Sequence, residues 1–68
     1  MKPNKVNNEL LHKLRVQHKL SQSELGERLG RAKATISRYE TGKKNPSLPI
    51  LCAYAEYFGV TVDNLLSK

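Results

Sequence analysis

Five residues between positions 33 and 38 have the types and spacing of a nucleic-acid reader: Lys33, Ala34, Thr35, Ser37 and Arg38. On a helix they lie opposite Ile36 and Tyr39, which are three apart and apolar. The resulting face is short, basic and built from small side chains, so its backbone can come close to a partner. A major groove about 12 Å wide admits one such helix. Other chemistry is poorly supplied. Glu24 and Glu27 share a helix face and form the only conceivable acid/base pair, but no nucleophile or cleft accompanies them, and no catalytic residue is expected. His12 and His18 are six apart and fall on different helical faces, so they read as exposed helix residues rather than ligands of a shared metal. Cys52 stands alone, which excludes a disulfide framework within one chain and reads as a small, partly buried hydrophobe. No metal, cofactor or small-molecule ligand is expected.

Charge points the same way. The 68 residues carry a formal net charge of +6. Residues 1–44 hold eleven Lys/Arg against four acids, whereas residues 45–68 hold only Lys68 against Glu56 and Asp63. A basic segment favours a polyanionic partner. The length allows one domain, taken as residues 1–68 with a core from about 7 to 66. No apolar run has the length of a membrane span or of a signal peptide, and a soluble, cytoplasmic protein is expected.

Five short helices are expected to position the basic face, in an all-α fold. Helix 1 spans about Val6 to Lys19, with Leu11 and Leu14 inward and Leu10 and Val6 beside them. Ser21-Gln22-Ser23-Glu24 has the form of a capping box and opens helix 2, which carries Leu25 and Leu29 and stops at Gly30. Gly26, inside that helix, implies a close approach by another helix. Helix 3 spans Lys33 to Glu40 and ends at Gly42. Ser47 caps helix 4, with Pro49 in its first turn and Leu48, Leu51, Tyr54, Ala55 and Phe58 on its inner side. Tyr39 and Tyr54 read as core residues with hydroxyls near the surface. Thr61 caps helix 5, with Asp63 in its first turn and Leu65 and Leu66 facing the core.

These segments carry a family resemblance. Leu20-Ser-Gln-Ser-Glu-Leu-Gly-Glu-Arg-Leu-Gly30, Ala34-Thr-Ile-Ser-Arg-Tyr-Glu-Thr-Gly-Lys43 and Asn45-Pro-Ser-Leu48 resemble the phage repressor/Cro (Xre-type) helix-turn-helix family. Phe58-Gly-Val-Thr-Val-Asp-Asn-Leu-Leu66 is similar to that family's last helix. The resemblance covers about residues 7 to 66 and implies a five-helix, lambda-repressor-like domain whose helices 2 and 3 form the helix-turn-helix. It implies base reading by Lys33, Ala34 and Arg38 with Thr35 close by, and phosphate contacts from Ser21, Gln22, Thr41, Lys43 and Lys44. It implies an ion pair between Arg15 and Glu40, the alternative being two unrelated exposed charges. Two residues depart from the pattern: Gly26 stands where alanine is usual, and Arg31 where a small apolar residue is common. Arg31 either adds a phosphate contact or is a solvated turn residue.

Ile50, Tyr57 and Val62 fall off the inferred core stripe. They are either scattered surface residues or a dimer patch. The expectation is therefore a transcriptional regulator, a repressor, binding palindromic double-stranded operator DNA as a homodimer. The rival is a protein-interaction regulator, such as an antitoxin-type partner, on the same scaffold.

Overall fold

The structure is a computed structural model and describes residues 5–67. Four helices form its body: α1 (Asn8–Gln17), α2 (Gln22–Leu29), α3 (Lys33–Thr41) and α4 (Leu48–Phe58). A 3-10 turn, Asp63–Leu65, follows α4. Two short strands, β1 (Lys5–Val6) and β2 (Leu66–Ser67), pair antiparallel with Val6 opposite Leu66.

The fifth helix is therefore absent, and the first is shorter than expected. Both differences have one cause. Asn7 caps α1 by accepting the Leu10 amide on its side chain at 3.1 Å, which leaves Val6 outside the helix. Val6 then pairs with Leu66, and the Asn7 amide donates to the Leu65 carbonyl at 2.8 Å. Thr61 does cap the segment after α4, its hydroxyl accepting the Asn64 amide at 3.1 Å. That turn stops at Leu65 because Leu66 must adopt extended backbone to reach Val6. At its other end α1 gives way to Lys19, which has a positive φ of 56°.

One apolar cluster unites the elements: Leu11 and Leu14 of α1, Leu25 and Leu29 of α2, Ile36 and Tyr39 of α3, a stripe on α4, and Leu65. The α4 stripe is Ile50, Leu51, Tyr54, Ala55 and Phe58, centred on the residues four apart from one another. Ile50 lies on its shoulder and is only 6% exposed, which corrects its assignment to a surface patch. Leu48, expected inside, is 64% exposed: it sits in the first turn, past the opposite shoulder. Cys52 also faces solvent rather than the core.

Tyr54 is fully buried, and among the described residues its hydroxyl has no hydrogen-bond partner, contrary to the expectation of a hydroxyl near the surface. Burial, aided by the nearby Glu40 carboxylate, pushes its pKa well above the ordinary phenol value. An unpaired buried hydroxyl carries a desolvation cost that phenylalanine lacks. Tyr54→Phe is expected to keep or raise stability, by about 1 kcal/mol, in urea unfolding.

Gly26 is explained by a close approach of backbone, and not by a crossing helix. A Cβ there would overlap the carbonyl oxygen of Arg31, whose amide donates to the Gly26 carbonyl at 2.8 Å. The obstacle is main chain and cannot rotate away. Gly26→Ala is therefore expected to lower the urea midpoint, by about 1–2 kcal/mol of stability, despite alanine's better helix propensity.

Candidate nucleic-acid interface

The interface is built on two short helices and the turn between them. The expected capping box opens α2. The Ser21 hydroxyl accepts the Glu24 amide at 3.0 Å, and the Glu24 carboxylate accepts the Ser21 amide at 2.8 Å. Those bonds to Ser21 hold the Glu24 pKa below the usual carboxylate value. Gly30 ends α2 with φ of 68°, a left-handed conformation that favours glycine. Arg31 folds back onto the same turn, its guanidinium donating to the Gly30 carbonyl at 2.8 Å. The chain then enters α3 with Leu25, Leu29, Ile36 and Tyr39 buried behind it.

On the outer side of α3, Lys33, Ala34 and Arg38 are exposed, with Ser37 half-buried between them. Thr35 is half-buried at the margin of this face. Thr41 is exposed, but its hydroxyl donates to the Ser37 carbonyl at 3.0 Å, so its proton is already engaged within the helix. Lys43 and Lys44 are exposed just beyond Gly42, and their amides donate to the Arg38 carbonyl at 3.0 and 3.3 Å. Among the described residues no carboxylate pairs with Lys33, Arg38, Lys43 or Lys44, so these four cations are left for an external anion.

The orientation of α3 is set from α1. Arg15 donates through Nε to Glu40 Oε2 at 2.6 Å, through Nη2 to Glu40 Oε1 at 3.1 Å, and through Nη1 to the Leu20 carbonyl at 2.8 Å. The two side chains are 13% and 3% exposed, so this is a shielded, bidentate pair and not two unrelated surface charges. Gln22, the first residue of α2, donates to Glu40 Oε1 at 3.3 Å and joins α2 to the same carboxylate. Desolvation by itself would raise the Glu40 pKa. The hydrogen bonds from Arg15, His12 and Gln22, with the Arg15 charge, outweigh it and hold the pKa below the usual value.

Two residues of this arrangement were not expected from the sequence. Asn8 donates its side-chain amide to the Tyr39 carbonyl at 2.7 Å, serving a carbonyl in the last turn of α3. His12 places Nδ1 3.0 Å from Glu40 Oε1. Asn8, His12 and Arg15 are spaced as one helical stripe, and that spacing was the available signal.

The residues expected to form a dimer patch do not lie together at the surface. Ile50 is buried and Val62 is half-buried against the core. Tyr57 is 40% exposed and accepts a hydrogen bond from Arg28 Nε at 3.3 Å. No described helix is long and apolar enough to cross a membrane.

A family model described as helix-turn-helix matches residues 11–65. The HTH-type transcriptional activator BcrR of Enterococcus faecalis is 40% identical over 60 residues, covering 88% of this chain. The match spans only 29% of that activator's length. An uncharacterized HTH-type transcriptional regulator of Methanocaldococcus jannaschii is 37% identical over 51 residues, covering 75% of this chain and 77% of its own. Among solved structures, the P22 c2 repressor in complex with a synthetic operator superposes with a TM-score of 0.85 at 25% identity, covering 93% of this chain and 96% of the other.

The Glu40 cluster makes stability sensitive to acid. A carboxylate whose pKa is lower in the folded state stabilises the fold above its unfolded value of about 4.3, and that contribution is lost as pH falls through the folded value. The urea midpoint is expected to drop below about pH 4.5, and Glu40→Gln should flatten that acid limb while lowering the midpoint at neutral pH. Glu24 adds to the limb with the same sign, so the variant reduces it without abolishing it. Arg15→Ala leaves the shielded carboxylate without its cation and is expected to cost about 3 kcal/mol by the same measurement.

Proposed function

The chain belongs to the helix-turn-helix family, and from that premise we propose that it is a sequence-specific double-stranded DNA-binding transcriptional regulator. The observation that carries this reading is the outer side of α3: exposed Lys33 and Arg38 without acid partners, small residues between them, and a shielded ion pair fixing the helix behind them. In the proposed complex α3 enters the major groove and α2 lies across the backbone. Arg38 grips a guanine edge, Lys33 supplies a second donor, and Ala34 and the Thr35 methyl meet a thymine methyl. Lys43, Lys44 and Gln22 contact phosphates. Ser21 can join them, because its oxygen accepts within the capping box while its proton remains free to donate. Thr41 contributes less, its hydroxyl proton being engaged.

The regulator is further proposed to act as a repressor, a reading supported by its structural likeness to the P22 c2 repressor, and as a homodimer on a roughly palindromic operator. Two-fold symmetry would set the two α3 helices about 34 Å apart. A second reading, a module that docks another protein, is favoured by exposed Leu48 and Tyr57 on α4. Recovery of a tight protein partner together with weak, sequence-blind DNA binding would support that one instead.

Selection of bound sequences from a random pool tests the main reading directly. Affinity for the selected site should fall steeply with salt, with a log–log slope of about −6 for a dimer in which three to four phosphates are neutralised per subunit. Arg38→Ala should relax the preference at one base pair by about 1–3 kcal/mol. A flat salt response, or an Arg38→Ala loss spread evenly over all sequences, would contradict the assigned roles.

A further inference from the structure

Three nitrogens crowd one oxygen of Glu40. Oε1 is approached by His12 Nδ1 at 3.0 Å, Arg15 Nη2 at 3.1 Å and Gln22 Nε2 at 3.3 Å. A carboxylate oxygen offers about two lone-pair directions. Arg15 is not the group displaced, because its Nε bond to Oε2 and its Nη1 bond to the Leu20 carbonyl hold it in place. The second direction is contested between His12 of α1 and Gln22 of α2.

Whether Nδ1 of His12 carries a proton decides that contest, and in the neutral ring the Arg15 guanidinium, which can only donate, selects the tautomer with Nδ1 bare. His12 Nδ1 also lies 3.2 Å from Arg15 Nη2. One ring nitrogen cannot accept from Arg15 and donate to Glu40 at the same time. With a neutral ring carrying its proton on Nε2, Nδ1 accepts from Arg15 and offers Glu40 nothing, so Gln22 keeps Oε1. With the ring protonated, Nδ1–H donates to the carboxylate in a charge-assisted bond stronger than a neutral amide can make. Gln22, the longest of the three contacts, then gives way. Among the described residues, the charged groups in contact with the ring are Arg15 on its own helix and Glu40 on α3. Gln22 of α2 is uncharged, and Tyr54 of α4 bears on the carboxylate from the buried side.

We propose that His12 is a positioning residue for Gln22: protonation of His12 releases the Gln22 amide from Glu40 toward the DNA backbone, so that binding tightens as pH falls. The DNA part of this rests on the DNA-binding reading above; the link between the two side chains does not. His18, the other histidine, is at the end of α1 against Phe58, with Nδ1 2.9 Å from the Leu14 carbonyl, and serves as the control.

The first measurement uses the free protein. Side-chain amide resonances of Gln22 are followed by NMR together with the His12 ring resonances as pH is lowered from about 8 to about 5. The Gln22 resonances are expected to move with the His12 midpoint in the parent and in His18→Ala, and to stay fixed in His12→Ala. Gln22 resonances indifferent to His12 would overturn the proposal whether or not the protein binds DNA. The second measurement is affinity for the selected operator at constant ionic strength over the same range. The parent should tighten about fivefold on acidification, and His12→Ala and Gln22→Ala each about twofold or less. If Gln22→Ala kept the full pH response, the imidazolium would be acting as a bare charge and the positioning role would be refuted. Coupled resonances with no DNA binding at any pH would support the positioning role and reject the DNA reading.

Discussion

Glu40 is the point at which three helices are tied together. Its carboxylate lies in the last turn of α3, receives the Arg15 fork from α1 and accepts Gln22 from the start of α2. A carboxylate that is 3% exposed is tolerable only because it is so fully bonded. The consequence is geometric as much as energetic. The apolar cluster holds α3 down, but apolar contact is non-directional and leaves rotation about the helix axis weakly specified. The bidentate pair, with the Asn8 amide on the Tyr39 carbonyl one residue earlier, fixes both the roll of α3 and the position of its last turn. Lys33, Ala34 and Arg38 present a defined face because of that restraint.

The turn supplies the complementary restraint at the other end of α3. Gly30 turns the chain through a left-handed residue, and Gly26 lets the Arg31 carbonyl lie against the α2 backbone where a methyl group would stand. Arg31, like Gly26 a departure from the family pattern, spends its guanidinium on the Gly30 carbonyl. Its long side chain thus reinforces the turn that its main chain has already tightened. The departures at positions 26 and 31 are two halves of one local arrangement.

Much of this was legible in the chain. The capping box at Ser21, the break at Gly30, the pairing of Leu25 and Leu29 with Ile36 and Tyr39, and the exposed cations of α3 follow from local rules of spacing and capping, and each is found in place. The Arg15–Glu40 pair needed the family resemblance, because nothing local connects residues 25 positions apart. The errors lie where long-range packing overrides a local pattern. Ile50 and Leu48 exchange their expected environments because the axis of α4 is set by the rest of the core and not by its own sequence. The last helix shrinks to a 3-10 turn because Leu66 is drawn into pairing with Val6, sixty residues earlier.

By itself, then, the sequence determined that four segments are helical, where α2 starts and stops, and which side of α3 is polar and basic. Those properties depend on neighbours within one or two turns, which the chain states directly. Tertiary structure alone decided how many nitrogens share the Glu40 carboxylate, that the stripe of Asn8, His12 and Arg15 faces the last turn of α3, and that Tyr54 keeps an unpaired hydroxyl in the core. The helix-turn-helix from Gln22 to Thr41 is written in local code. The restraint that aims it comes from α1, and exists only once distant donors and acceptors have been folded to within hydrogen-bonding distance.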